Sequence, residues 1–251
     1  MDIIHSLILG LVEGVTEFLP ISSTGHLIIA SRLFGLPESD FLKTFEIVIQ
    51  LAAVMAVVIL YWKRILANLI LFFELIIAFI PTAIIGFLVY PAVKGLLLGS
   101  VTIVAWSLVI GGAVIICFEH WHRERHGVVG YANAFWAGLA QTLALIPGIS
   151  RAAATIIGGE AAGMSRATAV EFSFMLAIPT MVAASGYDLY KNIHTVSIHG
   201  NLALLAVGCL AAFISALASV RWLLKYLQTH SLSAFGWYRI VIGLLLLLFL
   251  R

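Results

Sequence analysis

The stretch Glu13-Gly14-Val15-Thr16-Glu17-Phe18-Leu19-Pro20-Ile21-Ser22-Ser23-Thr24-Gly25-His26 decides how this chain folds. Apolar chain leads into it from Ile3 to Leu19 and resumes after it from Leu27 to Phe34. Pro20 has no amide hydrogen to give a helix, and Ser22-Ser23-Thr24-Gly25-His26 follows it at once. The pattern predicts a helix, a polar break, and a second helix of about a dozen residues, too short to cross some 30 Å of hydrocarbon. Irregular backbone at that depth survives only when buried in protein or lining a watery cavity. Residues 3–35 are therefore expected to form a re-entrant hairpin. The pattern recurs in residues 131–163, where Tyr131–Ile146 meets Pro147-Gly148-Ile149-Ser150-Arg151 and Ala152–Gly163 resumes.

The rest of the chain agrees with a membrane setting. Of its 251 residues 62% are apolar and 10% charged, against roughly 45–50% and about 25% in soluble domains. The mean hydropathy is +1.10, which excludes a cytosolic enzyme or a disordered chain, and a net charge of only +2 excludes a nucleic-acid binder. The two cysteines lie in apolar runs and read as packing residues. No signal peptide is expected, since the first 20 residues carry neither Lys nor Arg.

Six further runs meet the roughly 17–25 residues that spanning requires: Phe45–Trp62, Ile65–Tyr90, Val101–Phe118, Thr168–Ser185, Asn201–Val220 and Ala234–Leu250. Pro81 predicts a bend or break in the second. Trp62, Tyr90, Trp222, Trp237 and Tyr238 near the run ends suit an aromatic belt. Six spans and two hairpins put both termini on one side. The basic pairs Lys63/Arg64, Arg123/Arg125 and Arg221/Lys225 then fall on the other side with Arg166 and Arg239, leaving Arg32, Lys43, Lys94, Lys191 and Arg251 opposite. That bias makes the termini external. The first hairpin then dips in from outside and the second from the cytoplasm.

Pro20 and Pro147 are 127 positions apart, as are Ser23 and Ser150, and Phe45 and Phe172. With a one-residue slip Gly10 and Glu13 align with Gly138 and Gln141. Three intervening spans would insert the halves, about 1–118 and 131–251, in opposite senses. The expected fold is thus an all-α integral membrane protein: six transmembrane helices plus two re-entrant hairpins, arranged as inverted-topology repeats. Such repeats place their site near the midplane, where discontinuous helices meet. Chance similarity between Gly- and Ala-rich helices is the competing explanation.

Glu13 and Glu17 stand four apart and share a helical face. A carboxylate at bilayer depth costs about 2.5–3.5 kcal/mol on insertion scales, so two on one face call for a cation or a cavity. Hard oxygen ligands suit Mg²⁺ or Ca²⁺, completed by water and a phosphate; the plainer alternative is an acidic face at the interface. Ser22, Ser23 and Thr24 would open a helix whose free amides attract anions, and His26, three residues beyond Ser23, could carry its proton. These hydroxyls would also serve as ordinary caps. In the second hairpin Gly148 allows close backbone approach, while Ser150, Arg151 and Thr155 supply donors. The guanidinium fork of Arg151 matches phosphate, although a structural pairing with Glu13, Glu17 or Glu160 would also satisfy it. Glu46, Gln50 and Ser173 on neighbouring spans could line the same cavity. His120, His122 and His126 read as residues of a wet loop.

The Glu13–His26 string resembles the first signature of the bacterial undecaprenyl-diphosphatase, or bacitracin-resistance, family. Pro147–Thr155 resembles the second, and Glu171–Pro179 with Asp188–Lys191 is similar to the segment that follows. The likeness covers nearly the whole chain. It implies a multi-pass protein of the bacterial cytoplasmic (inner) membrane that releases phosphate from undecaprenyl diphosphate and recycles the lipid carrier for peptidoglycan. It also implies an outward-facing site, a divalent cation, and bacitracin competing for the lipid substrate; a homodimer stays open. By position, Glu13 and Glu17 match the acidic pair, Ser23 the nucleophile, His26 the catalytic histidine and Arg151 the essential arginine. The family often has Ser-Gly after that arginine, where this chain has Ala152-Ala153, so one hydroxyl is absent.

Two chemistries fit these residues: attack by Ser23 on the terminal phosphorus, or attack by cation-activated water with Ser23 placing the phosphate. A second function class, a lipid-phosphate or small-anion transporter, shares the broken-helix architecture. An intramembrane serine protease lacks a separate Ser–His dyad across two spans.

Overall fold

The structure, a computed structural model, describes residues 1–37, 39–92, 100–122, 126–191 and 202–249. Lys94, Arg123, Arg125 and Arg251, with the span ends Asn201 and Leu250, lie outside the described residues, as does the side chain of Tyr90.

Among the described residues the chain is helical, without a strand. α1 is Ile3–Thr16, α2 Ser23–Leu33, α3 Asp40–Ala67, α4 Leu69–Ala92 and α5 Val101–Trp121; α6 is Tyr131–Gln141, α7 Arg151–Ala161, α8 Arg166–Lys191, α9 Leu202–Tyr226 and α10 Ser233–Phe249. Five of these (α3, α4, α5, α8 and α9) are long and apolar enough to cross a membrane. α10, at 17 residues, reaches only about 26 Å at 1.5 Å per residue. α4 runs unbroken through Pro81, so of the bend or break its sequence suggested the break does not occur. One residue, Asn68, separates it from α3, and its Oδ1 caps α4 by accepting from the Leu71 amide at 3.1 Å.

α1 and α2 form an antiparallel hairpin whose open end is closed by the His5 and Phe34 rings, 5.0 Å apart. Asp2 caps α1 by accepting from the His5 amide, which holds its carboxyl below the usual range. At the tip, α1 stops before Pro20, and Ser22 adopts φ 75° and caps α2. α6 and α7 repeat the design: α6 ends in a 3₁₀ turn over Thr142–Leu145, Gly148 takes φ 92°, and Ser150 caps α7 by accepting from the Ala153 amide at 3.2 Å. Their open end is closed where the Ser165 amide reaches the Gly127 carbonyl at 2.8 Å. α2 and α7 have 11 residues each, about 16 Å of helix.

Each hairpin leans on a long helix from the other half of the sequence. α1 crosses α9 where a Cβ on Gly10 would stand 2.3 Å from the Gly208 carbonyl oxygen. Ser219 seals the crossing by donating to the Val15 carbonyl at 2.9 Å. α6 crosses α4 in the same manner: a Cβ on Gly138 would meet the Ala78 carbonyl oxygen at 1.9 Å, and Thr82 donates to the Gly138 carbonyl at 3.1 Å. Backbone approach over small residues is how helices bind in a medium without a hydrophobic drive between them. The outward faces stay apolar, with Phe87, Ile110, Leu210 and Leu248 exposed, a perimeter suited to lipid rather than water.

The ends of the long helices sort by charge. Arg64 at the end of α3 pairs with Glu171 near the start of α8 at 2.5 Å, and Arg166 pairs with Glu119 at the end of α5 at 2.9 Å. Glu119 also accepts from the Leu232 amide between α9 and α10 at 2.8 Å. Arg239 does not belong with these flanking charges, contrary to the sequence reading. α10 already begins at Ser233, so Arg239 sits well inside it and is only 1% exposed.

Candidate active site

Both breaks end at the start of a helix, so α2 and α7 aim their free amides and positive dipole ends inward. Between these ends lies a buried polar chain. Ser23, the first residue of α2, donates its hydroxyl to Glu17 Oε2 at 2.5 Å. Arg151, the first residue of α7, donates through Nη2 to Glu17 Oε1 at 3.0 Å. A carboxylate from one hairpin thus holds a hydroxyl of its own hairpin and the guanidinium of the other, and the hydroxyl bond lies in the short range typical of charge-assisted bonds. Glu17, Ser23 and Arg151 are all buried.

The rest of the guanidinium is equally constrained. Its Nη1 donates to the Ser173 carbonyl of α8 at 2.7 Å, and its plane lies 5.6 Å from the Phe18 ring centre. Thr155, one turn along α7, shares a 2.5 Å hydrogen bond with the Ser173 hydroxyl. Ser150 donates to the Leu19 carbonyl at 3.4 Å, joining the two breaks directly. Thr155 and Ser173, separate expectations from sequence, therefore form one support beneath Arg151.

Glu13, one turn below Glu17, is completely buried, and among the described residues neither of its carboxylate oxygens has a hydrogen-bond partner. Glu46 accepts from Ser31 at 3.4 Å, and Gln50, a turn further along α3, is half-buried. Among the described residues no three His, Cys, Asp or Glu side chains gather into a metal-binding group. Of the two carboxylates only that of Glu13 has unpartnered oxygens among the described residues, hard donors of the kind a divalent cation takes.

Four predicted residues sit apart from this chain. Thr24 is exposed. Gly148 faces α5, where a Cβ would stand 2.7 Å from Ser107 Cβ, so its small size serves contact with a helix. The His26 ring is turned away from Ser23: Nδ1 bonds the Ser22 carbonyl at 2.7 Å and Nε2 the Tyr238 hydroxyl at 2.8 Å. A carbonyl only accepts, so Nδ1 carries a hydrogen, and in the neutral ring Nε2 then accepts from the Tyr238 hydroxyl. Ser22 is spent as the cap of α2.

Sequence reasoning missed Tyr238 and Arg239. Tyr238 reads as an aromatic-belt residue, yet its ring stacks on His26 at 5.6 Å. Arg239 reads as a loop charge, but its guanidinium reaches both breaks. One signal was available: an arginine five residues into the apolar run Ala234–Leu250 is costly in lipid.

A sequence model described as bacitracin resistance protein BacA matches residues 6–245. The chain belongs to the BacA family. Curated relatives cover it end to end. The undecaprenyl-diphosphatase of Wolinella succinogenes is 47% identical over 256 residues, covering 100% of this chain and 99% of that one. Those of Bdellovibrio bacteriovorus and Aquifex aeolicus are each 46% identical, covering 100% and 96% of this chain and 97% and 95% of theirs. The family resemblance expected from the two signatures holds across the whole sequence.

Proposed function

We propose that this BacA-family protein is a membrane-embedded undecaprenyl-diphosphatase, converting undecaprenyl diphosphate to undecaprenyl phosphate and inorganic phosphate. Its curated full-length relatives bear that name. The observation that carries the assignment to a site is the Ser23–Glu17–Arg151 chain between the two helix starts.

The lipid tail lies among apolar helices while the diphosphate enters between α2 and α7, whose free amides favour anions. Its charge draws Arg151 from Glu17 onto the terminal phosphate, where a planar fork matches two oxygens. That exchange frees Glu17 Oε1, while Oε2 stays bonded to the Ser23 hydroxyl as its base. Ser23 Oγ attacks the terminal phosphorus, the bond to the bridging oxygen breaks, undecaprenyl phosphate departs, and the hydroxyl proton passes to Glu17. Water then splits the phosphoserine and restores the hydroxyl. Glu13 and Glu17 would hold a divalent cation, which when bound offsets phosphate charge. The 2.5 Å Ser23–Glu17 bond favours Ser23 as nucleophile over a merely placing role, with Glu17 rather than His26 as its base.

The hairpins are re-entrant in this reading, because each closes on itself at one end and its second helix is half a membrane long. The order α1–α5 repeats as α6–α10, and each hairpin's first helix crosses the fourth helix of the other half, which supports inverted repeats. Lys63, Arg64, Arg166, Arg221 and Lys225 mark the cytoplasmic end. The site then opens outward in the bacterial cytoplasmic membrane, with bacitracin competing for the same lipid. Phosphate release from a C55 or C15 diphosphate by purified protein in detergent, with and without EDTA, tests the activity. Tight diphosphate binding without release would replace it with a lipid-phosphate or anion carrier.

A further inference from the structure

We infer that Arg239 is a positioning residue that locks the two hairpin breaks in register, so that Glu17 and Ser23 of one meet Arg151 of the other. The inference rests on the site assigned above.

Every hydrogen bond described for this side chain is to a backbone carbonyl. Nη1 donates to the Pro20 carbonyl at 3.2 Å, and Nη2 donates to the Gly148 carbonyl at 3.0 Å and the Ser107 carbonyl at 3.1 Å. Pro20 and Gly148 are the breaking residues of the first and second hairpins, and Ser107 belongs to α5. Each interruption strands carbonyls that the next helical turn would otherwise satisfy, and lipid offers them no donor. One guanidinium supplies donors in three directions from a single plane, which a lysine ammonium on a flexible stem does not match. Among the described residues Nε has no hydrogen-bond partner and no carboxylate ion-pairs with Arg239.

The route of the side chain is built for this placement. α10 lies against α5 over glycines, where a Cβ on Gly112 would meet the Gly236 carbonyl oxygen at 2.5 Å. At Gly111 a Cβ would stand 2.2 Å from Arg239 Nη2 and 2.9 Å from Cζ. The guanidinium therefore lies flat on the α5 backbone in space that only a glycine leaves. Ser150 makes one long bond between the breaks at 3.4 Å, whereas Arg239 makes a shorter bond to each. Because both Nη groups are held by carbonyls of the two breaks and of α5, it acts on the reacting groups through the backbone.

The test measures phosphate release from a C15 diphosphate by purified, monodisperse wild type, Arg239→Met, Arg239→Lys and Gly111→Ala, with thermal unfolding followed in parallel. Expected are falls in kcat of about 100-fold in Arg239→Met and at least tenfold in Gly111→Ala, with KM within threefold of wild type, and partial recovery of kcat in Arg239→Lys. Gly111→Ala keeps the arginine and displaces only its guanidinium, so it decides the matter if Arg239→Met fails to fold. A kcat within twofold of wild type in Gly111→Ala, a rise in KM at constant kcat, or activity lost only in proportion to unfolded protein overturns the inference. An inactive wild type would instead overturn the phosphatase reading.

Discussion

Replacing Glu17 with Gln separates the two tasks that its carboxylate performs. The amide keeps the shape and one acceptor oxygen, so Ser23 and Arg151, bonded at 2.5 Å and 3.0 Å, still have something to approach. What is lost is basicity. A positioned general base contributes about 10²–10⁴-fold, or about 3–5 kcal/mol of barrier at 1.36 kcal/mol per decade. Removing one partner of a buried ion pair also costs about 3–5 kcal/mol of stability. Here the loss falls at the lower end, because Arg151 retains the Ser173 carbonyl at 2.7 Å. Phosphate release at saturating C15 diphosphate should fall at least 100-fold in Glu17→Gln. KM should stay level or drop, since Arg151 no longer has to leave an anion to meet the substrate. A kcat within tenfold of wild type, or a raised KM with kcat intact, would refute Glu17 as the base.

Three other outcomes follow from the same geometry. Ser23→Ala should lose at least 100-fold in kcat, and acid quenching of wild type with ³²P-labelled diphosphate should trap a phosphoserine at Ser23; an active Ser23→Ala enzyme transfers the attack to water. Gly148→Ala should lose about 1–3 kcal/mol from backbone strain alone, with a lowered melting temperature, since its φ is 92° and the new Cβ would press on Ser107. Unchanged melting would mean that the break does not rest on α5 as described. Glu13→Gln removes a buried carboxylate whose oxygens lack partners; it should at least preserve thermal stability and raise more than tenfold the Mg²⁺ or Ca²⁺ concentration that restores activity after EDTA. Equal cation dependence in the variant would take Glu13 out of the cation site.

Much of the fold was readable because lipid enforces coarse rules. Pro20 and Pro147, each followed by polar residues, must interrupt a helix, and the structure ends α1 at Thr16 and the α6 turn at Leu145, a few residues before each proline. Length decided the five long helices, while α10 keeps almost the expected run Ala234–Leu250 but measures only about 26 Å against some 30 Å of hydrocarbon. Pro81 shows the limit of residue-level rules: neighbouring helices can absorb a missing hydrogen bond, and α4 continues through it. The Glu17–Arg151 contact was legible as a need, since a buried guanidinium requires an anion, but three glutamates competed for it. Only the antiparallel closure of both hairpins selects Glu17.

Orientation within a helix is what sequence spacing leaves undecided. His26 follows Ser23 by three residues and shares a face with it, yet a ring nitrogen finds its partner across a helix crossing, and α10 supplies Tyr238. The same crossing carries Arg239 into the breaks. An arginine at that depth is expensive wherever it points, and composition registers the expense without the direction. Direction comes from Gly111, Gly112 and Gly236, which let α5 and α10 approach until a guanidinium fits between backbone and breaks. Reading such a site from sequence means pairing each costly residue with the small residues opposite that make room for it, and those lie more than a hundred positions away in the chain.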